Sequence, residues 1–165
     1  MAGKGFPPIL NEEMALFVTQ GVSTYASSVT RDGAPAIGQV LGCRVAPDRR
    51  KITLLISRTQ FPDLIGAIES SGRIAVGFSH PRKGRAIQLK GRDAMVGDAL
   101  RGDRRVMETF ADAFVEETRF RGFDEALIRS FLWADPSTMA AVTFTPAEAF
   151  DQTPGPGAGR SMTSR

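Results

Sequence analysis

At 165 residues, with 42% hydrophobic and 24% charged side chains, the chain is sized for one folded domain and has neither a disordered nor a membrane-embedded composition. A net charge of +3 and a pI near 9.5 permit acidic or phosphorylated partners without demanding them. The basic residues are dispersed, which excludes the concentrated basic face of a nucleic-acid binder.

Asn11, Glu12 and Glu13 followed by Met14, Leu16, Phe17 and Val18, with Gly21 at the end, predict a short capped helix. From Val22 to Thr30 the chain turns to Val, Ser, Thr and Tyr, and Arg31-Asp32-Gly33 supplies an Asp-Gly turn before a second run from Ala34 to Val45, so a β-hairpin is expected. Pro47-Asp48 and three basic residues mark another turn. Lys51 to Ser57 follows as a third strand, apolar enough to be largely buried. Phe61-Pro62-Asp63 opens a helix with Leu64, Ile65 and Ile68 on one face, ended by Ser70, Ser71 and Gly72.

Two strands come next, around Ile74-Val76-Phe78 and Ala86 to Gly91, and the second is expected to continue through Arg92 to Val96 and to bend at a barrel corner. On that strand Ala86, Gln88 and Lys90 share one face while Ile87 and Leu89 share the other. Asp103 to Thr118 is a long amphipathic helix by the three- and four-residue recurrence of Val106, Met107, Phe110, Ala111, Phe114 and Val115. Gly122 stops it, Asp124 to Trp133 reads as a shorter helix, and Met139 to Thr145 as the sixth strand. The expected organisation is a single domain over residues 1–150 and a Pro/Gly-rich tail over 151–165 that is mobile unless a partner holds it. The glycines of that tail do not form a phosphate loop, since Pro154 and Pro156 interrupt them and no Gly-Lys-Ser/Thr follows.

The inventory of reactive groups is short. One histidine, His80, and one cysteine, Cys43, make a multi-histidine metal site impossible within one chain and preclude an internal disulfide. His80 before Pro81 is expected to be an exposed turn residue, and Cys43, inside an apolar run, a buried structural thiol. No serine lies in a Gly-x-Ser-x-Gly turn, so hydrolase chemistry is disfavoured. No apolar run reaches the roughly 20 residues that span a bilayer, and Met1 to Pro8 lacks the apolar centre of a secretory signal. A cytoplasmic protein without membrane partners is expected.

The order helix, three strands, helix, two or three strands, helices, strand suits an antiparallel α+β barrel. From about Leu16 to Val96 the segments GVSTYASSVTRDGAPAIGQVLGCRV, ITLLIS, RIAVGF and RAIQLKG, in that order, resemble the pyridoxamine 5'-phosphate oxidase-like FMN-binding split barrels. The likeness is strongest to a bacterial branch that shares the Gln-Leu-Lys-Gly strand and a Gln-Thr-Pro-Gly-Pro-Gly-Ala-Gly tail.

The resemblance implies a six-stranded antiparallel split barrel with flanking helices, FMN as cofactor, oxidoreduction of a small molecule, and a homodimer with flavin at its interface. By the family pattern Gln39, Val40 and Leu41 line the flavin ring, Ile56 and Ser57 contact it near a strand end, and Arg58, Thr59 and Gln60 meet the phosphate. Gln88 bonds the ring edge, Lys90 lies one step along the same face, and Arg44 supplies a nearby charge or completes the partner's site. Val40, Leu41 and Ile56 equally suit core packing, and Arg58 a solvated turn.

Two departures are visible. Gln39, Thr59 and Gln60 stand where the oxidases carry basic residues, and the tail lacks their Trp and Arg cluster, so pyridoxamine phosphate itself is not the expected substrate. A non-catalytic flavin or haem carrier, and a barrel without cofactor that serves as an interaction module, are the alternatives.

Overall fold

A computed structural model describes residues 8–163. The residues before Pro8 lie outside it, and with them the N-terminal stretch read for a leader. In chain order the elements are α1 (Glu12–Thr19), β1 (Ser23–Val29), β2 (Pro35–Gln39), β3 (Cys43–Val45), β4 (Ile52–Ser57), α2 (Pro62–Ser71), β5 (Ile74–Ser79), β6 (Ala86–Gly91), β7 (Met95–Asp98), α3 (Asp103–Thr118), α4 (Glu125–Phe131), β8 (Met139–Phe144) and β9 (Glu148–Asp151). No helix of the described residues is long and apolar enough to cross a membrane.

The strands form two antiparallel sheets, β2-β1-β5-β6-β9 and β3-β4-β8-β7. The α+β class and antiparallel pairing are as expected, but among the described residues there are nine strands rather than six, in two sheets rather than one closed barrel. Two of the extra strands come from corners. The run from Ala34 to Val45 is one extended segment that changes sheets at Val40 to Gly42: Val40 donates its N–H to Thr24 in the first sheet at 3.0 Å, and Leu41 donates to Leu55 in the second at 2.8 Å. The run expected to bend beyond Gly91 does so, and its far half becomes β7 in the other sheet. The third extra strand, β9, follows β8 through a similar crossing and pairs with β6.

Gly91 shows why a corner needs a particular residue. A Cβ there would lie 2.5 Å from the Phe144 ring and 3.1 Å from the Thr145 carbonyl oxygen, so only glycine lets the two crossing segments approach. Asp93 ties the same corners together, its carboxylate accepting from the Thr145 N–H at 2.8 Å.

Burial follows the period-two pattern. Inward residues of both sheets, including Val40, Leu54, Ile56, Val76, Phe78, Ile87, Leu89 and Val142, form one core with α1 and α2. The outer face of the four-stranded sheet is covered as well: Leu41, Leu55, Met139 and Ala141 pack against Phe110, Val115, Ile128 and Leu132 of the C-terminal helices. That explains why every residue of β4 is buried, and each such Leu or Phe contributes about 1.5–3 kcal/mol. Among the described residues the five-stranded sheet has no such cover. Its outer face is the open surface of the molecule.

The tail does not trail away. Asp151 donates to the Arg160 carbonyl at 2.9 Å, Met162 donates to Ala149 at 2.8 Å, and Ser161 bridges Phe150, so residues 151–162 fold back along β9. The Pro/Gly run that suggested mobility forms the turn of that hairpin.

Candidate functional site

Strand register assembles the open face row by row. Tyr25 on β1 pairs with Gln39 on β2 and Gly77 on β5; Gly77 pairs with Gln88 on β6, and Gln88 with Phe150 on β9. Residues directly opposite on adjacent strands point to the same face. The open face thus carries a continuous row Gln39, Tyr25, Gly77, Gln88, Phe150.

Gly77 is the gap in this row. A Cβ there would meet nothing within 4 Å, so no packing constraint inside the chain requires glycine. Glycine inside a strand costs roughly 0.5–1 kcal/mol and often marks the close approach of a ligand or another backbone. On either side the row offers polar groups. Gln39 and Gln88 make no side-chain hydrogen bond among the described residues, and each amide carries two donors and an acceptor. Tyr25 is 40% exposed and Ile37, on the next row, 66%. Lys90 stands over the Phe150 ring, its Nζ 4.8 Å from the ring centre.

The residues singled out from the sequence fall into distinct groups. Gln39, Gln88 and Lys90 share the open face. Val40, Leu41 and Ile56 are buried in the two cores. Ser57 is fully buried; its Oγ is 3.1 Å from Thr59 Oγ1 and 3.3 Å from Thr138 Oγ1, and accepts from the Gln60 N–H. These bonds shape the loop of Arg58, Thr59 and Gln60 after β4, and Gln60 lines a cleft there with Pro35 and Ile37 of the open face's β2.

The charges near that loop are already committed. Arg58 donates to the Gly97 carbonyl at 3.1 Å and to Asp98 at 3.3 Å, with Glu69 at 3.6 Å. Gln60 donates from its amide to the Trp133 carbonyl at 3.2 Å. Arg44 is turned to Asp103, a pair at 2.8 Å on β3 and α3.

His80 is a correction. It is 4% exposed rather than a surface turn residue, because Phe17 of α1 and Glu117 of α3 close over it. Its Nδ1 accepts from the N–H groups of Arg82 and Lys83, both at 3.3 Å, which occupies that nitrogen. Cys43 is buried as expected, and burial pushes its thiol well above the ordinary range against the opposing charge of Arg44. It is a packing residue and not a nucleophile.

Sequence reading passed over Gly77 and gave Tyr25 no place among the flavin contacts. The available signal was the glycine in the middle of an otherwise apolar strand, IAVGFS.

No family model matches the chain, and no curated protein matches it. Solved structures do. HupZ of Group A Streptococcus superposes with a TM-score of 0.55 at 15% identity, over 91% of this chain and 99% of that one. A "putative pyridoxamine 5'-phosphate oxidase" from Lactobacillus delbrueckii gives 0.53 at 15% identity, over 86% and 93%. A conserved hypothetical protein from Mycobacterium tuberculosis gives 0.51 at 13%, over 91% and 89%. At these identities the likeness establishes the fold: the chain has the fold of the pyridoxamine 5'-phosphate oxidase-like proteins, as the sequence resemblance implied.

Proposed function

We propose that the chain is a homodimeric FMN-binding protein that uses the flavin for oxidoreduction of a small molecule. The observation that carries this reading is the row on the open sheet face. A planar ring needs a flat bed with hydrogen-bonding groups at its rim, and Gly77 between Tyr25 and Gln88, with Gln39 beyond Tyr25, provides one. The shared fold supports the class of cofactor. When bound, the flavin supplies the redox chemistry. The chain would bind and orient it: the Gln39 and Gln88 amides would bond the ring edge, and Tyr25 and Phe150 would exclude water from its surroundings.

Val40 and Ile56 would set the stiffness of the bed from beneath, while Leu41 packs in the second core, under the C-terminal helices. Gln60 borders the open face from a cleft it shares with Pro35 and Ile37, and Ser57, Arg58, Thr59 and Arg44 belong to the site in this reading as groups that a second copy brings near. A twofold pair is the commonest way for an uncovered sheet face to be buried. Pyridoxamine phosphate is not the proposed substrate, because the tail turn carries Pro, Gly and one Arg in place of a Trp and Arg cluster.

The test is titration of the purified chain with FMN, read by flavin fluorescence and visible absorption. Quenching that saturates at micromolar protein supports the reading. Unchanged fluorescence at high protein concentration overturns it. A haem spectrum in the isolated protein would favour the carrier alternative, for which Tyr25 rather than the enclosed His80 is the accessible ligand.

A further inference from the structure

Two residues along β6 from Gln88, the open face sinks into a cleft of about 540 Å³. Its lining combines Ser27, Ala75 and Gly91 with Val29 and Pro35 and carries the cations Arg73, Lys90 and Arg92. Lys90 stands opposite Ala75 on the open face, and Arg73 and Arg92, one residue beyond the paired ends of β5 and β6 at Ile74 and Gly91, line the same cleft.

Glu148, paired with Lys90 on β9, is the one carboxylate in the lining. Among the described residues none of the three cations enters an ion pair. Arg73 spends only its main chain, donating to Ser71 Oγ and accepting from Ser28 Oγ. Arg58, the cation of the β4–α2 loop, is by contrast surrounded by Gly97, Asp98 and Glu69. Three cations against one carboxylate leave net positive charge in the cleft, and an anion entering it relieves their mutual repulsion.

We propose that this cleft is a binding site for the phosphate or carboxylate group of a small molecule, held by Arg73, Lys90 and Arg92. The anion belongs either to the cofactor itself or to a separate substrate drawn beside it. The site stands whether or not the neighbouring row takes a flavin.

The experiment is calorimetric titration of the full chain with inorganic pyrophosphate at low ionic strength, without flavin. Binding is expected, weakened about tenfold or more in Arg73→Ala/Arg92→Ala, because charge-assisted bonds are the strong ones. Both side chains are exposed, so folding is not at risk. The control Arg101→Ala/Arg105→Ala removes the same charge elsewhere and should bind like the parent. No binding by the parent, equal binding by the cleft variant, or equal weakening in the control would each overturn the site.

Repeating the titration with FMN and riboflavin separates the two sources. If FMN binds more tightly than riboflavin and the cleft variant abolishes the difference, the cleft takes the cofactor's phosphate. If pyrophosphate binds the flavin-loaded chain undiminished, it takes a second molecule. Pyrophosphate binding with no flavin binding leaves this site intact and sinks the flavin reading alone.

Discussion

Arg44 and Asp103 are joined across 59 residues by a bond of 2.8 Å from the guanidinium Nε to a carboxylate that is 4% exposed, while Arg44 itself is 39% exposed. The asymmetry sets the consequence of breaking the pair. Asp103 also accepts from the Leu100 N–H at 2.8 Å, so it fixes the entry to α3. Arg44→Ala leaves a buried carboxylate short of its cation and should cost about 3 kcal/mol. Asp103→Ala leaves an arginine that can turn to water and should cost about 1–2 kcal/mol. Urea unfolding of the two variants checks the order, and the reverse order would mean that the buried carboxylate is satisfied without Arg44.

Gly77 allows function to be separated from folding. A side chain there meets nothing within 4 Å, so Gly77→Val should leave stability unchanged or raise it by up to about 1 kcal/mol, as β-branched residues favour strands. The same substitution should weaken FMN binding by at least about tenfold, because the branched side chain stands where the ring would lie. Gln88→Ala should have the smaller effect of one lost hydrogen bond, about 1 kcal/mol. Fluorescence titration and thermal unfolding together give the answer. Tight flavin binding by Gly77→Val would place the ring elsewhere.

Acid stability should depend on Asp93. Partial burial pushes its carboxyl up, but hydrogen bonds from Thr145, its own N–H and the charge of Lys51 outweigh that and hold it below the ordinary value of 3.8. A carboxyl depressed in the folded state contributes stability that is present above its unfolded value and lost as pH falls through the folded one. Unfolding measured from pH 7 down to pH 2 should show a drop below about pH 4 that is shallower in Asp93→Asn. Identical slopes would show that the bond to Thr145 is broken in solution.

The open sheet face predicts association. Tyr25, Val29 and Ile37 are exposed large side chains on one uncovered sheet, and light scattering should report about twice the 17.8 kDa chain mass at micromolar concentration. Ile37→Glu, on the edge strand of that face, should shift the equilibrium to monomer. A monomeric parent that binds flavin would contradict the shared site.

The elements legible in the sequence are those whose information is local. The Val106 to Val115 stripe gave α3 its full extent, and Asp32-Gly33 gave the first hairpin, because period and turn chemistry act over a few residues. The bend beyond Gly91 was legible, but the change of sheet at Val40 to Gly42 was not, and neither was the distant Phe144 ring that forces glycine at 91. His80 misled for the same reason: its burial is made by Phe17 and Glu117, which the sequence places far away. Of the site, the shared face of Gln88 and Lys90 was readable from alternation alone. That Gln39, Tyr25 and Gly77 join Gln88 in one row depends on strand register, which alternation does not supply.

The pairing of β4 with β8 sets a delay during synthesis. Thr53 and Thr143, whose hydroxyls meet at 2.9 Å in the finished sheet, are 90 residues apart in the chain. At roughly 5–20 residues per second a ribosome needs about 5–18 s to make that intervening length. Throughout that interval ITLLIS, buried along its whole length in the end, has one edge without a neighbour. A nascent chain stalled after α2 would therefore expose an apolar strand ready to pair with its like, and chaperone demand should fall on this window more than on any other part of translation.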